Sequence, residues 1–322
     1  MLTSRLIERS RSVQLRLPHT ASASAECRPH PLLRKEVDPA NYEYGCAEFE
    51  DMLKGNNSTF LGHGHIRDVW LVNYKGRSLV LKSLRVEAEP KRQRRRIRMH
   101  RLEAAALDSV RGHPNVVGML GICETTIATD YYTKFFHQHI LSGSHWTTGL
   151  SISKIMSMAL DATRGIQALH EVDGGPIVHF DMKPQQLLLT EDGQVKVNDL
   201  NMARFMHTNA LGHPCPFKGG RPSRPVAWVA PEKIAWQPVT EKTDIYSMGM
   251  IFYSLVSGKE PYEQTEVDEL RLLKGVMPHI DPHWHQGYME LVQDMWQREP
   301  TLRPSARQVV ARLEVLLDEL ST

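Results

Sequence analysis

Apolar residues in the first third of the chain come in short runs bounded by turn formers, the pattern of half-buried strands. Val69-Trp70-Leu71-Val72 and Leu79-Val80-Leu81 are two such runs, and Asn73-Tyr74-Lys75-Gly76 between them predicts a hairpin turn. Residues 91–110 change period: Met99, Leu102, Ala106 and Val110 fall on one face of a helix. Two more strands are expected between residues 115 and 132, around Gly121. Beyond them the spacing turns helical. Ile155, Ala159, Ala162, Ile166 and Leu169 step by 4, 3, 4 and 3, and helical patterns recur at about 243–257, 286–296 and 305–319. A strand-rich first third before a helix-rich remainder predicts an α+β chain of two lobes.

Composition adds limits rather than detail. The chain has 322 residues, 41% hydrophobic and 24% charged, enough for a sizeable core. Lys and Arg number 39 against 37 Asp and Glu, a net of 39 − 37 = +2, so no nucleic-acid partner is expected. No apolar stretch approaches the roughly 18 residues of a membrane-spanning helix. Cys27, Cys46, Cys123 and Cys215 lie far apart with no CxxC spacing, which argues against a disulfide scaffold or zinc ribbon and for a reducing compartment. Residues 1–45 are set apart as a tail, with Arg5, Arg9, Arg11 and Arg16 among serines and Glu8 the only acid before Glu26. Such a start resembles an organellar presequence, but an unstructured tail on a cytoplasmic protein is the plainer expectation.

Candidate chemistry begins at Leu61-Gly62-His63-Gly64, followed by Val69. Gly62 and Gly64 would let backbone N–H groups approach a polyphosphate, although two glycines in a hairpin turn explain that motif alone more simply. Lys82 lies where an ammonium reaches such phosphates, and Glu103 borders the apolar face of its helix. A carboxylate facing a core needs a cation, and Lys82 is the expected one. Further on come His179-Phe180-Asp181-Met182-Lys183-Pro184, then Asp199-Leu200-Asn201, Ala230-Pro231-Glu232, Asp244 and Arg303.

In order and spacing these motifs resemble the eukaryotic protein kinase superfamily over about residues 56–318. The resemblance implies a bilobal kinase fold: a five-stranded N-lobe at about 56–129, a hinge at about 130–133 and a mainly helical C-lobe at about 134–318. It implies ATP and Mg²⁺ as cofactors and a protein substrate as partner. Gly62 and Gly64 then match the glycine-rich loop, with Val69, Val80 and Leu188 around adenine, Thr129 as gatekeeper, and Asp130 to Tyr132 as the hinge. Lys82 matches the phosphate-holding lysine with Glu103 as its ion-pair partner, Asp181 the catalytic aspartate and Lys183 its γ-phosphate companion. Asp199 matches the metal-binding aspartate, Asp244 the anchor of the catalytic loop, and Glu232 with Arg303 a buried ion pair.

Several positions depart from the family. Gln186 stands in place of the second metal ligand, an asparagine, and Asn201 in place of a glycine, where it is expected to take up positive φ. These two feed the competing class, a pseudokinase scaffold. Leu200 keeps an apolar plug, and Arg67 replaces the third glycine of the loop. Phe180 replaces an arginine that pairs with a phosphorylated activation loop, so activity independent of that phosphorylation is expected. Lys183-Pro184 resembles serine/threonine kinases, whereas Pro225-Val226-Ala227-Trp228 resembles tyrosine-kinase-like platforms; serine/threonine specificity is expected. The basic run at 91–101 reads as a solvated helix face, and the acid-free segment carrying Arg204, Lys218, Arg221 and Arg224 suits an acidic substrate or a phosphate on Thr208 or Ser223.

Overall fold

The sheet of the first lobe is antiparallel, with β1 (Ser58–His63), β2 (Arg67–Tyr74), β3 (Arg77–Leu84), β4 (Met119–Cys123) and β5 (Thr126–Asp130) in the order β1-β2-β3-β5-β4. This computed structural model describes residues 26–54, 58–64, 66–141, 150–219, 225–263 and 272–321. The β2–β3 turn is tighter than the four residues expected. Tyr74 pairs with Arg77, and Lys75 and Gly76 between them both take positive φ, 51° and 81°, as the strand twist demands of a two-residue hairpin. Strand alternation then sends Leu79 and Leu81 to one face, buried against Phe49 and Met52 of helix α1 (Cys46–Lys54), and Val80 and Lys82 to the other. Helix α2 (Pro90–Ser109) starts on a proline, with the Glu89 carboxylate accepting from the Lys91 and Arg92 N–H groups at 2.9 Å. Its first turns are basic and mostly exposed, whereas Glu103, Ala104 and Leu107 are buried.

The second lobe is helical: α3 (Phe136–Leu141), α4 (Ile152–His170), α5 (Pro231–Ile234), α6 (Lys242–Ser257), α7 (Gln286–Met295) and α8 (Ala306–Glu319). All five apolar positions predicted for α4 are buried. Helix α6 is buried on nearly every side, as a central helix must be, and α8 opens on a Ser305–Gln308 capping box. Arg303 grips Glu232 bidentately at 2.7 and 2.8 Å, and both are buried. No helix among the described residues is long and apolar enough to cross a membrane.

Two expectations need correction. Of the tail set apart at 1–45, residues 1–25 lie outside the described residues, whereas 26–45 pack on the two lobes. Arg28 and Thr208 exchange backbone hydrogen bonds at 2.8 and 3.2 Å, His30 is buried with Nε2 2.9 Å from the Gly175 carbonyl, and Tyr42 donates to Asp108 at 2.5 Å. The Tyr44 N–H donates to the Leu120 carbonyl at 3.1 Å, and a Cβ on Gly121 would collide with the Tyr44 carbonyl, so this approach requires glycine. The cysteines are the second correction: Cys27 pairs with Cys215 and Cys46 with Cys123, leaving none free. Sequence distance misled because the bridges follow the tertiary path. The Arg28–Thr208 contact carries Cys27 to Cys215, and the Tyr44–Leu120 contact carries Cys46 to Cys123.

Cross-links that close loops this long should contribute about 2–4 kcal/mol each, mainly by restricting the unfolded chain. Excess reductant is therefore expected to lower the melting temperature, and a Cys46→Ser/Cys123→Ser variant to reproduce part of the drop. An unchanged melting temperature in protein whose four thiols have been opened and alkylated would contradict this.

Candidate active site

The lobes meet around a cavity of roughly 270 Å³. Val69 from β2 and Val80 and Lys82 from β3 line its upper side, the two β3 residues because alternate strand positions share a face, and Thr129 and Asp130 border it at the end of β5. Tyr132, Gly64, Leu188, Gln186 and Asp199 complete the set of predicted residues in its wall. Gly62, Glu103, Asp181 and Lys183 are not in the wall but flank it. Gly62 adopts φ 152° at the bulge between β1 and β2, and Gly64 closes the loop by donating its N–H to the Arg67 carbonyl at 2.8 Å. His65, Arg221, Ser223 and Arg224 lie outside the described residues.

At the hinge the Asp130 carboxylate accepts from Arg77 at 2.6 Å, which turns that side chain outward. Burial, and then the Asp130 charge, push the Tyr132 phenol up to about 12. The residues 187–189 and 195–197 pair as strands below the cavity, with the turn Pro184–Gln186 leading into them. That turn places Gln186 so that its amide nitrogen donates to Asp181 Oδ2 at 3.0 Å, and Lys183 Nζ stands 2.9 Å from the same oxygen.

The loop holding Asp181 is fixed from beneath by Asp244. Its Oδ2 accepts from the His179 N–H at 2.7 Å and from the His170 ring at 3.0 Å, while Oδ1 accepts from the Phe180 N–H at 2.9 Å. Burial raises the Asp244 carboxyl, but the His170 hydrogen bond and the nearby imidazoles outweigh it, and the net shift is downward. Phe180 sits at φ 71° in consequence, a strained conformation for a bulky residue. The Asp181 N–H donates to His179 Nδ1 at 3.3 Å, so His179 Nε2 carries the proton and donates to the Asn198 carbonyl at 2.9 Å. His179 is thus a structural link from the Asp181 loop to the Asp199 strand end.

Two further expectations fail in detail. Asn201 does not take up the positive φ; Asp199 does, at 62°, because residues 200–202 wind into a 3₁₀ turn immediately after it. The ion pair expected between Lys82 and Glu103 is also absent. Glu103 is paired with Arg67, and Lys82 donates to Asn198 Oδ1 at 3.2 Å instead. Arg67 opens β2 over the buried carboxylate, and a weakly hydrated guanidinium is the easier cation to bury there. Burial pushes the Glu103 carboxyl up, Arg67 and Lys82 pull it back, and the Asp199 charge adds to the rise; the balance is upward. His100 stands 3.2 Å from the same guanidinium and is held near 4 by burial and by Arg67, hence neutral.

Arg67 and Lys233 are the residues that sequence reasoning missed. A charged side chain replacing a loop glycine was the available signal for Arg67. Lys233 follows Glu232, is buried, and donates to the Phe180 carbonyl at 2.5 Å with its ammonium 3.9 Å from the Phe180 ring. Arg204 lies 5.4 Å from the same ring. Burial lowers the Lys233 ammonium to about 8, against the raising influence of Asp181 and Asp244.

A protein-family profile described as protein kinase domain matches residues 56–313. The chain is 28% identical over 255 residues to the serine/threonine-protein kinase STY17 of Arabidopsis thaliana, covering 75% of this chain and 40% of that protein. It is 27% identical over 286 residues to the serine/threonine/tyrosine-protein kinase HT1 of the same plant, covering 87% and 70%. A probable serine/threonine-protein kinase of Dictyostelium discoideum, roco6, is 28% identical over 306 residues, which are 87% of this chain and 13% of roco6. The chain therefore spans less than half the length of two of these three relatives.

Lys233 supplies a pH signature. Its folded value near 8 lies below the ordinary 10.5, so between these the unfolded chain holds the proton that the native state has released. Its contribution to stability is expected to rise as pH increases through that window. Chemical unfolding of wild type and Lys233→Met from pH 7 to 10.5 checks it; identical pH dependence in both would rule it out.

Proposed function

The chain belongs to the protein kinase family, and from that premise we propose that it is an active enzyme transferring the γ-phosphate of ATP to serine or threonine hydroxyls of protein substrates. The observation that carries this reading is the convergence of Lys82, Gln186 and Asp199 on one cavity, with Asp181 bound to Gln186 at its edge. Val69, Val80 and Leu188 would sandwich the adenine, and the backbone of 130–132 would meet its polar edge. Lys82 would hold the α- and β-phosphates. Asp181 would orient the attacking hydroxyl and accept its proton, and Lys183 beside it would balance charge on the phosphoryl group in flight.

The donor set fits Mg²⁺. Asp199 supplies a carboxylate, and Gln186 has an amide oxygen left once its nitrogen is given to Asp181. Hard oxygen donors of this kind, few in number and shared with phosphates, are what the ion takes. When bound it would neutralise charge on the phosphates. The Gln186 amide on this cavity supports catalysis over the scaffold alternative, because its oxygen is the donor type that an asparagine would otherwise supply.

Serine/threonine preference rests on Lys183-Pro184 and on the names of the relatives. Tyrosine remains a second reading, favoured by Pro225-Val226-Ala227-Trp228 and by the dual name of HT1. The two disulfides support work in an oxidising compartment, against the reducing one expected from cysteine spacing. Thiol labelling of denatured native-source protein tests this, with four blocked cysteines expected and four reactive ones overturning it.

Asp181→Asn should lower γ-phosphate transfer to a generic protein substrate by about 10²- to 10⁴-fold while leaving the fold intact. Phosphoamino-acid analysis is expected to show phosphoserine and phosphothreonine; phosphotyrosine alone would reverse the specificity, and equal transfer by wild type and variant would refute the role of Asp181. Phe180 packs on Phe217 and two cations in place of a phosphate-binding arginine, so phosphatase pretreatment should leave turnover largely unchanged. Loss of turnover after that treatment would contradict it.

A further inference from the structure

Arg67 leaves part of its guanidinium unused. Nη2 serves both Glu103 and His100, but Nε and Nη1 are closed to solvent and have no hydrogen-bond partner among the described residues. The other buried arginine–glutamate pair shows what a purely structural pair looks like here. Arg303 gives Nε to the Gln297 carbonyl, Nη1 to Glu232 and the Lys242 carbonyl, and Nη2 to Glu232 and the Arg298 carbonyl. Every nitrogen of Arg303 is used, as burial of N–H groups demands. Arg67 is 5% exposed and lines the same cavity as Gly64, Lys82 and Asp199. Its own carbonyl closes the glycine loop through the Gly64 N–H.

We propose that Arg67 is a second phosphate-binding cation of this site. With nucleotide bound, one of these spare N–H groups, at Nε or Nη1, donates to the polyphosphate while Nη2 retains Glu103. Helix α2 is thereby coupled to the phosphates through Arg67 rather than through Lys82. A guanidinium suits this because its N–H groups point along different edges of one plane, so one can serve a phosphate oxygen while another holds a carboxylate. Lys82, bound to the Asn198 amide and to no carboxylate among the described residues, is left to face the same ligand. The proposal rests on the reading of the cleft as an ATP site.

Removing Arg67 alone would strand a buried carboxylate, so the comparison is between Glu103→Gln and the double variant Arg67→Met/Glu103→Gln. Calorimetric affinities for Mg·ATP and for adenosine, which lacks phosphate, are measured on wild type and both variants. The double variant is expected to bind ATP about tenfold or more weakly than Glu103→Gln while adenosine affinity is unchanged. In turnover assays the ATP KM should rise more than kcat falls. Should the double variant fail to fold, Arg67→Lys keeps a charge for Glu103 without the spare guanidinium N–H groups, and a several-fold loss confined to ATP is expected of it. Equal ATP affinity, or parallel losses for ATP and adenosine, would overturn the proposal by making Arg67 structural only. A wild type that binds no ATP would bring down the kinase reading with it, whereas ATP-binding wild type with indifferent variants would remove this inference alone.

Discussion

A carboxylate 1% exposed must find donors for its lone pairs inside the protein, and Asp244 finds them in the backbone of residues 179 and 180 and in the His170 ring. Much of the cleft depends on that demand. Two consecutive N–H groups can reach one carboxylate only if the chain turns sharply, and Phe180 absorbs the turn at positive φ. The turn aims Asp181 toward the cavity edge, sends His179 under the Asp199 strand end and exposes the Phe180 carbonyl to Lys233. The geometry of the Asp181 loop is thus held chiefly by backbone amides. Asp181 Oδ2 meets Gln186 and Lys183, which belong to the same short loop.

Much of this was legible in the chain. The 3.6-residue spacing of Ile155 to Leu169 identified a helix whose five apolar positions are all buried, because local periodicity and burial are two views of one constraint. Val80 and Lys82 reach one cavity for the same kind of reason, strand alternation, and motif spacing brought Leu188 and Asp199 to it. What stayed hidden involved choices among distant partners. Nothing local distinguishes Arg67 from Lys82 as the cation for Glu103; side-chain reach across three elements decides it. Likewise the positive φ moved from Asn201 to Asp199 because the following residues coil, a preference that composition does not express. The pairing of the four cysteines depended on the path of residues 26–45, which carry no strong periodicity.

The segment after Asp199 illustrates how one physical task can be met by different means. A phosphate gripped by arginines would order it electrostatically. Here Phe180 joins Val178, Met206 and Val239 in an apolar cluster, Phe217 packs alongside, and Arg204 and Lys233 face the ring. The Arg28–Thr208 bridge and the Cys27–Cys215 bond add a strap from outside. Apolar burial and a covalent link are insensitive to salt and to phosphatases, where an ion-pair network responds to both.

That strap also makes the molecule a ring within a ring. Cys46 and Cys123 lie between Cys27 and Cys215, so the smaller covalent loop is nested inside the larger, and the cleft residues from Gly62 to Asp199 are enclosed by the outer one. A single backbone cut anywhere from 28 to 214 therefore releases nothing: both pieces remain one covalent molecule until reduced. During synthesis the order is inverted in time. Cys27 leaves the ribosome 188 residues before its partner, and so the first part of the described chain to be made is the last to be fastened.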